Sequence, residues 1–511
     1  MVSRDAAAGL SRLYAHEQIG AAKTMSFLRF FLFNLFGNVL PILAALVSVP
    51  VIAHHAGGER LGALGVVWGL IGYFGFLDFG LSRVVTRRVA LAKEQARLPD
   101  ELAELRGFFW WWAMPALLVI TIVLLGARAV FPGMLPSGWL GKEVADGWMW
   151  IALCIPVTLM TNWLRGALEG VQRFARLNLL KTIFGVWNYA APALAVLVSP
   201  TLEAMIEAIF VGRLLGLLGH ALAAVHAEPG ILIGSAPRRL SSPGLFFREG
   251  GWMTVSNLIG PLMIYSDRFV LAALLTPTAV FYYVTSQEVM LRTLVIPAAL
   301  SGVLFPKFSG AIEPVAGSEI FNLYHRSVRF ISALMLPLCV LAAALAYDAL
   351  RVWLGDEFAA HAHRVVELIA VGIFVTSIGQ LPLAWLQGSG RSYLTARLHL
   401  VELPLYGVGL YFAVEYFGIL GAACMWTLRV AADSLAMLVL ATVDKGRMAI
   451  SIAWKGAALI LLTALLSGPG QPWQWRAALT LGACLAALLA SWYGLLDGTD
   501  RKEIGKLRHA Y

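Results

Sequence analysis

Eight ionisable side chains stand inside long apolar runs of this sequence: Arg213, Arg268, Arg292 and Arg429, with Asp267, Glu288, Glu402 and Asp433. A charge at membrane depth costs roughly 2.5–3.5 kcal/mol on insertion scales, so it faces a partner or a wet cavity. Arginine there has two uses: it can neutralise a buried acid, or its planar fork can grip a phosphate or carboxylate. The spacing offers pairs. Glu288 precedes Arg292 by one helical turn, on the same face, and Arg429 stands in the same relation to Asp433. Counted from the turn Thr276-Pro277-Thr278, Glu288 reaches the depth of Arg268, whose chain neighbour is Asp267. Glu402 and Arg429 lie at similar distances from a turn at Tyr416. The acids match the arginines in number, which predicts a nearly neutral core and counts against a simple cationic cavity. For Arg268, Arg292 and Arg429 the structural pair and the ligand contact both remain open. Arg213 differs, because its neighbours one turn away are Ile209, Phe210, Gly216 and Leu217. With no local acid it is the best candidate for binding an anion.

Other groupings carry less. His361-Ala362-His363 and His54-His55 sit in short loops without further ligands at suitable spacing, so no metal site is expected. Gly388-Ser389-Gly390-Arg391 joins two apolar runs and lacks the strand-to-helix setting of a phosphate loop. Asp78 and Glu169 fall at the ends of runs beside basic segments, where capping or pairing explains them. No nucleophile stands beside a base, and no cofactor motif appears; neither catalysis nor a cofactor is expected.

The elements that must position these residues are membrane helices. The chain has 511 residues, 59% of them hydrophobic and 14% charged, against roughly 25% charged in soluble domains. Fourteen runs are long enough to span a bilayer, since about 20 apolar residues suffice. The expected fold is therefore all-α and polytopic, with about 14 transmembrane helices. Internal prolines (Pro41, Pro50, Pro156, Pro192, Pro297, Pro337, Pro404) predict kinks that neighbouring helices can accommodate. With the N-terminus placed inside, 29 of the 39 basic residues fall on the inner side, 6 outside and 4 at depth. That asymmetry predicts cytoplasmic termini, and it assigns the net charge of +9 to cytoplasmic loops rather than to nucleic-acid binding. The four cysteines lie in apolar runs and are expected to be free thiols. Residues 1–24 are polar and the first run is too long for a signal peptide.

Several segments together resemble a known family. They are Leu77-Asp78-Phe79-Gly80-Leu81-Ser82, Phe305-Pro306-Lys307-Phe308-Ser309, Trp353-Leu354-Gly355, and Leu386 to Arg391. The series continues through Glu402 to Tyr406, Gly418 to Ala423, and Trp426-Thr427-Leu428-Arg429. In this order, over about residues 26–440, the chain resembles the multidrug/oligosaccharidyl-lipid/polysaccharide exporter superfamily, and within it the Wzx-type polysaccharide (O-antigen) flippases. A short repeat, Asn34-Leu35-Phe36-Gly37 and Asn257-Leu258-Ile259-Gly260, fits two parallel halves. The resemblance implies two six-helix lobes around a central cavity: residues 26–225 and 250–441, joined by a cytoplasmic linker at 226–249. Residues 450–496 would form two extra helices, which in related lipid II flippases border a groove for the lipid tail. Tails at 1–25 and 497–511 would be cytoplasmic. The implied activity is alternating-access transport of a lipid-linked oligosaccharide across the bacterial inner membrane. Its partners would be that substrate, membrane lipids and other polysaccharide-assembly proteins. A multidrug or cation antiporter of the same superfamily is the first alternative, but it needs an acid free to exchange protons. A membrane enzyme of glycan polymerisation or ligation is the second, but it needs a long outer loop, and the longest here, about 131–147, is short.

Overall fold

A computed structural model describes residues 39–76, 81–127, 138–234, 259, 262–308, 319–389, 391–441, 447–498 and 500–501. All regular structure among them is helical. The first half comprises α1 (Val39–Ala56), α2 (Gly58–Phe76), α3 (Leu81–Glu94), α4 (Leu98–Phe108), α5 (Met114–Ala127), α6 (Trp139–Gly170), α7 (Phe174–Val198) and α8 (Leu202–Ala227). The second half begins with α9 (262–274), α10 (Pro277–Leu291), α11 (Val295–Phe308), α12 (Glu319–Ala344) and α13 (Ala346–Leu354). It ends with α14 (Asp356–Gly388), α15 (Ser392–Leu440), α16 (Arg447–Leu466) and α17 (Trp473–Leu489). Among the described residues, 10 helical stretches are long and apolar enough to cross a membrane. They correspond to expected spans. Those expected at 61–82 and 250–275 run into residues outside the description, as do both copies of the Asn-x-x-Gly repeat.

Local chemistry accounts for the irregular points. At 49 residues α15 would be about twice as long as a bilayer is thick, and it is in fact a hairpin. Gly418, with φ +58° and ψ −137°, breaks it at the expected turn. A Cβ on Gly421 would stand 1.8 Å from the carbonyl oxygen of Ala413, so the returning strand of the hairpin needs glycine there. Pro156, Pro192, Pro337 and Pro404 are carried inside continuous helices. Pro297 acts differently. It has no N–H for the carbonyl of Thr293, and the chain tightens into a 3₁₀ turn at Arg292–Leu294 between α10 and α11.

The two halves meet along α2. Gly58, Gly62, Gly65, Gly69 and Gly72 alternate spacings of four and three, which places them on one helix face. A Cβ on Gly62 would lie 2.0 Å from the Pro277 carbonyl oxygen, and one on Gly65 2.9 Å from Val284 Cγ1. Missing side chains thus let α2 approach the backbone of α10 at Pro277 and Phe281, and the side chains of Tyr265 and Arg268 on α9. The Trp353 indole adds a hydrogen bond to Leu46 O at 2.7 Å, tying α13 to α1. Within the second half α14 is the axis: 72% of its apolar window is buried, against 12–56% in the other spans. The last helices are pinned at both ends. Arg476 of α17 pairs with Asp348 at 3.0 Å, while Asp497 and Asp500 beyond α17 pair with Arg329 of α12 at 2.6 and 2.9 Å.

Candidate functional site

Where α9 and α10 cross α7, charges gather around one carboxylate. Glu288 of α10 accepts from Arg268 of α9 at 2.6 Å and from Arg292, one turn further on, through its other oxygen. The Tyr189 hydroxyl of α7 donates to Glu288 at 3.3 Å and also accepts from Arg292. Both guanidinium groups lie over aromatic rings, Arg268 over Tyr265 and Arg292 over Tyr189, at 5.0 and 5.7 Å from the ring centres. Arg268 is 2% exposed, whereas Arg292 is 37% exposed to the adjoining space.

Asp267 does not join them. Its carboxylate is fully buried and accepts from Tyr283 Oη at 2.8 Å, from the Gln287 amide, and from the backbone N–H of Arg268 at 2.8 Å. Consecutive residues on a helix point about 100° apart, so Asp267 turns into the protein and Arg268 toward the chamber. The adjacent pair read from the sequence is thus held through the backbone of Arg268, and its guanidinium goes to Glu288.

Arg213 lies on α8, facing α6 and α7. It donates to Thr158 Oγ1 at 3.0 Å and to Asn188 Oδ1 at 3.4 Å, and its buried Nε–H has no protein acceptor. No carboxylate among the described residues is within ion-pair distance. Arg213, Arg268, Arg292 and Glu288 line one chamber of about 390 Å³. Thr158, Asn162 and Asn188 add hydroxyl and amide groups, Trp68, Trp187, Tyr189 and Tyr265 add aromatic faces, and exposed Lys181 adds a further cation. A second chamber of about 370 Å³ shares Asn162, Lys181 and His220 with the first and continues to Arg165 and Glu169, which pair at 3.1 Å.

This corrects the expectation of a neutral core. Among the described residues, three arginines and Lys181 face the main chamber with one carboxylate between them. Asp267, Glu402 and Asp433 balance charge by count but not by position. Arg429 is also placed differently from its expected pairing: it stacks over Tyr406 at 5.5 Å and approaches Met263 Sδ at 3.8 Å, with no carboxylate in ion-pair range among the described residues. Its expected partner Asp433 turns to His399 of the preceding hairpin arm at 3.3 Å. His399, Glu402 and Asp433 bring one ligand atom each within 4.8 Å of one another, a grouping that linear spacing did not disclose. The histidines singled out in the sequence have ordinary roles: His361 stacks on Tyr282 and His363 bonds Ala359 O.

Sequence reasoning missed Tyr189, Asn188, Thr158 and Asn162, and it did not count Lys181 among the candidate site residues. A signal was available. Thr158, Thr161 and Asn162 follow helical spacing and mark one polar face on an otherwise apolar span.

The charged chamber lies where α9 and α10 meet helices α1, α2, α6, α7 and α8. The fold matches a solved lipid II flippase, MurJ, in its inward closed conformation, with a TM-score of 0.65 at 10% identity over 92% of this chain and all of that one. It also matches an inward-facing multidrug resistance transporter of the MATE family, with a TM-score of 0.59 at 14% identity over 83% of this chain and 96% of that one. Residues 76–363 match the polysaccharide biosynthesis protein family, and the chain belongs to that family. A Shigella flexneri protein assigned as an O-antigen transporter is 29% identical over 415 residues, 80% of this chain and 96% of its own length.

Proposed function

We propose that this transporter moves a polyprenyl-pyrophosphate-linked oligosaccharide across the bacterial inner membrane by alternating access, for cell-surface polysaccharide assembly. The excess of guanidinium groups over carboxylates in the main chamber carries the reading. A diphosphate supplies the missing negative charge and suits the bidentate geometry of arginine. Amides, hydroxyls and aromatic faces on the same walls suit sugar rings. The name of the Shigella relative and the fold shared with a lipid II flippase support the same substrate class. An antiporter is favoured less, because the chamber's one carboxylate is already held by two arginines. The direct test is reconstitution of the purified protein in liposomes, following exposure of lipid-linked glycan. Drug efflux without glycan translocation would overturn the proposal.

Alternating access requires the α2–α10 seam to part and close again. Gly62→Val should leave an inserted protein that cannot close there, because the new side chain meets the Pro277 backbone. Transport should fall to background in the liposome assay, while Gly407→Val, at a glycine with open space around it, should transport normally. Equal transport by both variants would remove the seam from the mechanism.

The orientation is proposed from the basic residues: both termini cytoplasmic. In a protein without native cysteines, single cysteines at Ser199 and Gly470 should react with an impermeant thiol reagent from the periplasm. Cysteines at Gln95 and Ser392 should not. An inverted result at either pair means that the bundle is inserted the other way.

A further inference from the structure

A third space, partly open and about 330 Å³ in volume, lies on the other side of α2 from the charged chamber, among α2, α5, α6, α9 and α10. Gly62, Val66 and Leu70 line it from α2, Ile151 and Ile155 from α6, and Phe269 from α9. Among the described residues, no charged, amide or hydroxyl side chain belongs to its walls. The indole N–H of Trp148, which also lines it, is already given to Leu124 O at 2.7 Å, so the ring offers only hydrocarbon. Water entering would find no partner, and apolar cavities of this kind stay dry or take apolar guests.

We propose that this chamber holds the proximal hydrocarbon chain of the carrier lipid, a methyl-branched isoprenoid, while the diphosphate and sugars occupy the charged chamber. The assignment rests on the proposed substrate class. Three observations carry it. The same two helices wall both spaces: Val67 and Trp68 are consecutive in α2, as are Arg268 and Phe269 in α9, and in each pair one residue faces each chamber. The wall between α2 and α9 is thin, because it is built on Gly69 and Gly72, whose Cβ positions would meet Arg268 Cδ and Tyr265 Oη at 2.9 and 3.0 Å. The volume also fits. A cavity of about 150 Å³ accepts one benzene, so this one accepts on the order of a dozen carbons, or about two isoprene units.

Selection in this chamber depends on shape. A chain leaving the bilayer is already in hydrocarbon, so packing rather than the hydrophobic effect decides where it settles. Ala63, Ala152 and Ala272 leave notches between the larger Val, Leu and Ile side chains, and methyl branches fill such notches better than a straight saturated chain does. This location differs from the groove beside the last two helices that the family resemblance implies for the tail. Here α16 and α17 are fastened to α12, α13 and α14.

The test uses the purified full-length protein and a prenyl diphosphate carrying a photoreactive diazirine on its second isoprene unit. Adducts are mapped by mass spectrometry beside those of a phospholipid with a diazirine in its acyl chain. Prenyl adducts should concentrate on peptides holding Trp148 to Ile155 and Phe269 to Leu275, and phospholipid adducts should spread over lipid-facing helices. Ala272→Trp, which fills the chamber, should lower the prenyl adducts there by about tenfold or more. The wild-type map decides the matter if that variant folds poorly. Prenyl adducts on α16 and α17, a pattern matching that of the phospholipid, or no adduct in this chamber overturns the assignment. Labelling here with no glycan translocation in liposomes would leave the chain site standing and discard the transport reading instead.

Discussion

Glu288→Gln is expected to produce the largest loss of stability of any single substitution in the chamber. The neutral amide keeps the shape and an acceptor oxygen but removes the negative charge beside the guanidinium of Arg268, which is 2% exposed and otherwise meets Gly65 O at 3.4 Å and the face of Tyr265. Removing one partner of a buried ion pair costs about 3–5 kcal/mol, because the other charge stays behind uncompensated. Glu288 is itself 29% exposed toward the chamber, and Arg292 37%, so water there takes the loss to the low end of that range. Thermal unfolding in detergent, read by tryptophan fluorescence and by monodispersity on size exclusion, measures it. The double variant Arg268→Met, Glu288→Met should be more stable than Glu288→Gln alone, since the buried guanidinium is removed together with its carboxylate, while Asp267 keeps its hydrogen bonds from Tyr283, Gln287 and the backbone. Losses that simply add across the cycle would dissolve the claimed coupling between Arg268 and Glu288.

How far this network could be read from sequence depended on which geometry was needed. Depth along the membrane normal is one-dimensional, and counting from the Pro277 turn placed Glu288 level with Arg268 correctly. One-turn spacing on a single helix also worked for Glu288 and Arg292. The same spacing failed for Arg429 and Asp433, because residues one turn apart are neighbours without being partners. There the helix packs against the other arm of its own hairpin, and His399 and Tyr406 from that arm take the two side chains separately. Sequence adjacency misled most: Asp267 and Arg268 are joined in the chain but point about 100° apart on their helix, one into the protein and one toward the chamber. Charge balance counted over the sequence therefore came out neutral, although the chamber itself is cationic. Aromatic residues followed the same logic. Trp68, Trp187 and Tyr265 line the main chamber, whereas Trp385 and Tyr283 are buried in the core. Composition cannot separate these two fates, because both surroundings reward a large amphipathic ring. The break at Gly418 was legible for the opposite reason, being a local matter of chain turning.

Arg213 should give the opposite result to Glu288, a large loss of transport with little loss of fold. Its partners, Thr158 and Asn188, are neutral, so its removal strands no buried charge. A charge held at membrane depth without a carboxylate partner is costly, so Arg213→Met should melt at or above the wild-type temperature. The proposed substrate loses more. Hydrogen bonds to charged groups contribute about 1.5–3 kcal/mol each, so losing a bidentate pair to a phosphate should lower transport at subsaturating substrate by roughly 10²–10⁴-fold. Arg213→Lys should recover part of the activity, because it restores the charge as a single point without the planar fork. A structural role predicts the reverse order: Arg213→Met would aggregate or vanish from the membrane, and any folded remainder would carry glycan normally. Size-exclusion profiles measured beside glycan translocation in liposomes separate the two. Full transport by a well-folded Arg213→Met protein would falsify the assignment of Arg213 to the diphosphate.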